Sequence, residues 1–194
     1  MVAPDLPFND PASGYEQRIR PALDGVGAVD GSLVVVGHSM ASGIAPLIAA
    51  ARPVSLLVLL CPGPLPTLPG GPSALREGFP FPATRADGTN AWDRDEAIDV
   101  MYRRLPRDTA RALAERLQPM APAPDEYPLL AHPDVPTVVV YATDDELFEP
   151  AVQRERGQAL PGEEPIEIPG GHFPMVEDPD ALVALLDEVA RTSK

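Results

Sequence analysis

The segment Leu33-Val34-Val35-Val36-Gly37-His38-Ser39-Met40-Ala41-Ser42-Gly43 constrains this chain most. Four apolar, largely β-branched residues read as a buried strand, and small residues crowd one serine before an Ala-rich helical run. A serine on so sharp a strand-to-helix turn presents its hydroxyl at the carboxyl edge of a sheet. Gly37 and Ala41 flank it because the strained backbone there leaves no room for a larger side chain. The pattern Gly-x-Ser-x-Ala is that of a nucleophile on an elbow. Its plainer reading is a serine N-capping an ordinary helix.

Two later segments supply partners for such a serine, in a fixed order. Pro169-Gly170-Gly171-His172-Phe173-Pro174 is a Gly-rich loop after the short strand Ile166-Glu167-Ile168 and before a helical run over 180–190. A histidine there can lie over Ser39 and act as general base. Residues 137–142 read as a strand ending in the acidic turn Thr143-Asp144-Asp145-Glu146. A carboxylate in that turn, Asp144 or Asp145, accepts the other ring N–H and fixes the tautomer of the histidine. Of the remaining candidates, His38 reads as a packing residue pointing away from the serine. His132 reads as a surface or hinge residue, and Cys61 as a buried thiol ending an apolar strand.

A length of 194 residues fits one domain with an ample core. The single cysteine excludes an internal disulfide, and no Cys/His cluster has zinc spacing, so neither metal nor cofactor is expected. A formal charge of −14 disfavours nucleic acid and anionic membranes. The first residues carry no signal-peptide pattern and no apolar stretch reaches bilayer length, so a cytoplasmic protein acting on a small molecule is expected.

Along the chain, residues 2–7 resemble the end of a strand, and 15–23 a short helix containing Pro21. A helix over 40–51 follows the elbow and is kinked or restarted at Pro46. Residues 54–60 form a second uninterrupted apolar run, the signature of a parallel sheet buried on both faces. The Pro/Gly-rich stretch 62–72 then breaks all periodicity. From about 73 to 130 the pattern is helical. Asp93 with Glu96 marks one start, Ile98, Met101, Tyr102 and Leu105 recur at helical spacing, and 107–117 forms a second amphipathic helix. The sheet resumes at 136–142, and 150–160 reads as helix. The expected fold is α/β: a mostly parallel sheet flanked by helices, built from 1–61 and 132–194, with 62–131 a helical cap insertion. Phe79, Phe81, Trp92, Met101, Tyr102 and Phe173 are the substrate-pocket candidates as a group.

These residues resemble a known family. Val2-Ala3-Pro4-Asp5-Leu6-Pro7, the 37–43 elbow, the Thr143-Asp144-Asp145 turn and the Gly171-His172 loop look like α/β-hydrolase-fold esterases. The branch is that of small actinobacterial-type hydrolases similar to plant methyl esterases and hydroxynitrile lyases. In that branch the acid is followed by one residue, an apolar pair and often proline. Asp145-Glu146-Leu147-Phe148-Glu149-Pro150 matches, so the resemblance prefers Asp145 to Asp144. Lyases of the branch carry lysine after the histidine. Phe173 stands there, so the resemblance implies ester, lactone or thioester hydrolysis through an acyl-enzyme on Ser39.

The resemblance also implies an oxyanion hole of two backbone N–H groups, one from Met40. The other belongs to a loop upstream of the Ala-Pro-Asp-Leu-Pro segment, which this chain starts too late to contain. The strand before that loop is expected mid-sheet, so its absence leaves an open edge that invites association between copies, and losing one oxyanion donor is expected to impair activity by about 10²–10³ in rate. The competing readings are a non-catalytic binding protein on the same fold, and a lyase or cyclase using His172 as base without acylation.

Overall fold

The structure is a computed structural model and describes residues 1–27, 32–68, 75–124, 126–162 and 164–192. In chain order the elements are α1 (Tyr15–Val26), β1 (Val34–His38), a 3₁₀ turn (Ser39–Gly43), α2 (Ala45–Ala51) and β2 (Leu56–Leu60). Then come β3 (Ala83–Thr84), β4 (Asn90–Ala91), α3 (Arg94–Val100), α4 (Arg107–Arg116) and β5 (Thr137–Ala142). α5 (Pro150–Gln158), β6 (Ile166–Ile168), α6 (Pro174–Glu177) and α7 (Pro179–Thr192) complete the chain.

The uninterrupted apolar runs become the centre of a parallel sheet of order β1-β2-β5-β6. Such runs suit strands covered on both faces, and β2 and β5 are buried at every position. Successive side chains of β2 alternate between two layers. Leu56, Val58 and Leu60 join Val138, Val140 and Leu182 and Val189 of α7 on one face. Leu57 and Leu59 join Val139, Ala45 of α2 and Leu160 on the other. Each such side chain contributes about 1.5–3 kcal/mol on full burial. Helix α1 packs on α2 through Ile19, Ile44, Leu47 and Ile48.

Between β2 and β5 the chain lays down the β3–β4 hairpin and the α3–α4 pair. Asp93 caps α3, its Oδ1 accepting from the N–H of Asp95 at 2.9 Å and of Glu96 at 3.2 Å. The helix ends at Val100, and Met101 to Leu105 continue as turns that still bury Tyr102 and Leu105.

Three expectations change. Residues 2–7 form no strand: Pro4 and Pro7 have no N–H to give a ladder, and the segment runs as a loop. The helix expected over 40–51 starts as the 3₁₀ turn and becomes α-helical only at Ala45, with Pro46 in its first turn, where a missing N–H costs nothing. The β3–β4 hairpin was not expected at all. Among the described residues no strand pairs with the outer edge of β1, where Val36 is 43% exposed.

Candidate active site

The elbow is built by its neighbours. A Cβ on Gly37 would sit 2.8 Å from the Ala41 carbonyl oxygen and 2.9 Å from Ala45 Cβ, so only glycine lets the turn fold back onto β1. Ser39 holds φ at 52°, a left-handed conformation that costs a non-glycine residue about 1–2 kcal/mol. The 3₁₀ turn holds it there: Ser42 Oγ donates to the Gly37 carbonyl at 2.8 Å, and the Gly63 N–H donates to the Ser39 carbonyl at 3.0 Å.

Asp145 and His172 are brought together from the turns after β5 and β6. His172 Nδ1 lies 2.9 Å from Asp145 Oδ2, with both side chains essentially fully buried. Asp145 Oδ1 accepts from the N–H groups of Leu147 and Phe148 at 2.9 Å each, and Oδ2 also accepts from Gln153 Nε2 at 3.0 Å. Burial pulls the Asp145 carboxyl pKa up. The His172 ring and the two backbone N–H groups outweigh it and hold the pKa below the ordinary value. An ionised carboxylate can only accept, so Nδ1 carries a ring proton, and in the neutral imidazole this tautomer leaves the lone pair on Nε2. Asp144 lies exposed and pairs instead with Arg104 at 3.4 Å. Among the described residues neither Ser39 Oγ nor His172 Nε2 makes a hydrogen bond, a common state of such pairs before substrate arrives.

His38 does not point away from this site. Its Nε2 lies 2.8 Å from the His172 carbonyl oxygen, and the two rings are 4.8 Å apart. A carbonyl only accepts, so His38 Nε2 bears the proton. Burial first, then His172, pushes its pKa down to about 4, and the ring stays neutral. The β-strand alternation that suggested otherwise fails because β1 ends at His38 and the chain turns there.

Five further residues shape the site without having been singled out from sequence. Gln153 is fully buried against Asp145. Arg76 Nε donates to the Asp145 carbonyl at 2.6 Å. Glu146 accepts from the His172 N–H at 3.1 Å, and burial raises its pKa. Arg104 pairs with Glu177, whose Oε2 accepts from the Gly171 N–H at 2.9 Å. A Cβ on Gly171 would lie 2.5 Å from Arg104 Cδ and Glu146 Oε2 and 2.7 Å from Glu177 Oε1, so a larger residue there requires these side-chain ends to move. An acidic residue directly after the acid turn was the one visible signal, for Glu146. Cys61 is buried as expected, but with φ at 42° and its sulfur in one cluster with the Asp145 and His172 ligand atoms, all within 4.8 Å of one another.

The pocket candidates separate. Phe81 lines a cavity of about 410 Å³ that Met40 also lines. Phe79 packs on Leu147 and Phe148 and meets Phe81 and Trp92 edge-on at 5.9 and 5.8 Å. Trp92, Met101 and Tyr102 pack with α3 and α4, joined by Phe173, whose ring is 4.9 Å from Tyr102 and 5.0 Å from His172. Neither Ser39 nor His172 lines the cavity.

A parallel sheet that carries a left-handed serine after β1, a carboxylate after β5 and a histidine after β6 defines a hydrolase-type fold. The chain belongs to the alpha/beta hydrolase family, whose sequence signature matches residues 2–185. It is similar in fold to a pyrethroid hydrolase from Sphingobium faniae JZ-2, with 22% identity, a TM-score of 0.78, and 98% of this chain and 85% of that one covered. A methylesterase protein from Arabidopsis (17% identity, TM-score 0.68, 92% and 78% covered) and tomato methylketone synthase I (17%, 0.73, 94% and 81%) share the fold too. No curated protein matches the sequence. Among the described residues no helix is long and apolar enough to cross a membrane.

Proposed function

We propose that the chain is a serine hydrolase cleaving a small carboxylic ester, lactone or thioester. Ser39 Oγ attacks the acyl carbonyl as His172 Nε2 takes its proton, and Asp145 holds the imidazole and stabilises the imidazolium. The Met40 N–H holds the tetrahedral oxyanion. The alcohol or thiol leaves with the proton from His172, and water activated by the same nitrogen then releases the acid. Residues 62–131 serve as a cap over this site, bringing Tyr102 against Phe173.

The observation that supports this best is the buried Asp145–His172 pair at 2.9 Å, with a proton on Nδ1, in a fold that also holds Ser39 in a left-handed elbow at the end of β1. Intact-mass and turnover assays with p-nitrophenyl acetate and butyrate test it against Ser39→Ala. The variant is expected to lose turnover by on the order of 10³-fold or more, with the melting temperature within about 3 °C because alanine keeps the same backbone strain. Turnover that survives in Ser39→Ala but not in His172→Ala would instead indicate a lyase or cyclase. A folded chain with neither turnover nor acyl adduct would indicate a binding protein.

A further inference from the structure

Away from the Asp145–His172 pair, one buried cation makes no ion pair among the described residues, although Asp10 lies near enough to favour its charge. Arg18 of α1 is only 2% exposed. Its Nε donates to Ser13 Oγ at 3.2 Å and its Nη2 to the Pro122 carbonyl at 2.7 Å. The guanidinium carbon lies 5.3 Å from the centre of the Phe8 ring. Among the described residues no carboxylate pairs with Arg18, and its Nη1 makes no hydrogen bond. Neutral acceptors replace only part of the hydration a cation loses, and Asp10 acts on it without a contact ion pair, so burying this group is costly. In keeping with that, burial lowers its pKa.

Arg18 lines the cavity of about 410 Å³ whose other walls include Phe8, Met40, Ile44 and Phe81. That volume suits a small molecule, and the walls are mostly apolar. The cavity reaches from the residue that follows Ser39 to a guanidinium, the one side chain whose planar fork matches a carboxylate. On a chain of formal charge −14 an anion finds little attraction at long range. A local, desolvated cation is what makes such a ligand acceptable.

We propose that the substrate is an ester whose apolar body ends in a free carboxylate, with that end seated in this cavity against Arg18 as its counter-charge and the acyl carbonyl outside it, past Met40, at Ser39. This rests on the hydrolase reading and names the substrate class for it.

The experiment compares mono-4-nitrophenyl glutarate with its neutral methyl ester. The unsubstituted chain is expected to favour the charged ester by about 10–100-fold in kcat/KM, the range of a charge-assisted hydrogen bond, and Arg18→Gln to bring the ratio near one. Ala123→Phe narrows the cavity from an exposed wall position and is expected to lower the same ratio, which keeps the test open if Arg18→Gln does not fold. A ratio near one in the unsubstituted chain, or one unchanged in both variants, overturns the proposal. If neither ester is turned over, the hydrolase reading fails. Calorimetry with monomethyl glutarate and dimethyl glutarate then decides the cavity alone: binding of only the charged compound supports the Arg18 site, and equal or absent binding overturns it.

Discussion

Ser39 and Cys61 share a conformation that the rest of the non-glycine chain avoids, with φ of 52° and 42° among the described residues. Both stand just beyond the carboxyl ends of neighbouring parallel strands, β1 and β2. The first strain was legible, because Gly37 and Ala41 are the small residues that a serine crowded onto an elbow requires. The second was not, since Cys61 follows an apolar run that says nothing about its own φ. Its backbone N–H is held by the Val140 carbonyl at 2.7 Å, and its side chain is fully buried. Burial, with Asp145 next, pushes the thiol pKa up, so little thiolate forms at any working pH. Iodoacetamide at pH 8 is therefore expected to leave the mass of the native chain unchanged over an hour and to alkylate it fully in 6 M guanidinium. Alkylation of the folded chain would show that the thiol is reached and activated. The choice of Asp145 over Asp144 needed the following Leu-Phe-x-Pro, since the two carboxylates differ only in which one the turn folds inward.

At the scale of elements, the strands were legible and the connections were not. β2 and β5 are largely apolar runs buried at every position, as a sheet covered on both faces accommodates, and β1 opens on three valines. The β3–β4 hairpin has two-residue strands, too short for any alternation to register, though Asp87-Gly88 marked its turn: Gly88 holds φ at 81° and Asp87 Oδ1 accepts from the Thr89 N–H at 2.9 Å. The turn after α3 carries Arg104, which pairs with Glu177 beside the His172 loop at 3.3 Å and with Asp144 beside the acid turn at 3.4 Å. No local pattern announces a pairing across 73 residues. Arg104 is about a third exposed, so the pairs are partly screened. A double-mutant cycle of Arg104→Gln with Glu177→Gln is expected to give a coupling of about 0.5–1 kcal/mol, shrinking in 1 M NaCl. A coupling of zero at low salt would mean that α3 and α4 are held by apolar packing, such as Tyr102 and Met101 against Phe173, Val176 and Phe148.

For the whole molecule, the response to acid depends on one buried ring. At a formal charge of −14 the folded chain repels itself, and acidification relieves that repulsion, which by itself raises stability. His38 acts the other way. It joins the two halves of the chain by donating to the His172 carbonyl, and its pKa of about 4 in the fold lies below the ordinary 6.5. Between those values the unfolded chain binds a proton that the folded chain refuses, so stability falls as pH drops from about 6.5 to 4 and the loss stops below. The shift corresponds to roughly 3 kcal/mol. His132, also lowered by burial, adds to the loss, while the raised Glu146 opposes it, because the fold takes up that proton before the unfolded chain does. The lowered Asp145 contributes a loss only below the ordinary carboxylate range. Glutamine at position 38 keeps an N–H donor for the His172 carbonyl and removes the titration. Urea unfolding at pH 7, 6, 5 and 4 is expected to give a declining free energy for the unsubstituted chain and a clearly flatter one for His38→Gln. Equal slopes would mean that His38 takes up its proton in the folded state at an ordinary pH.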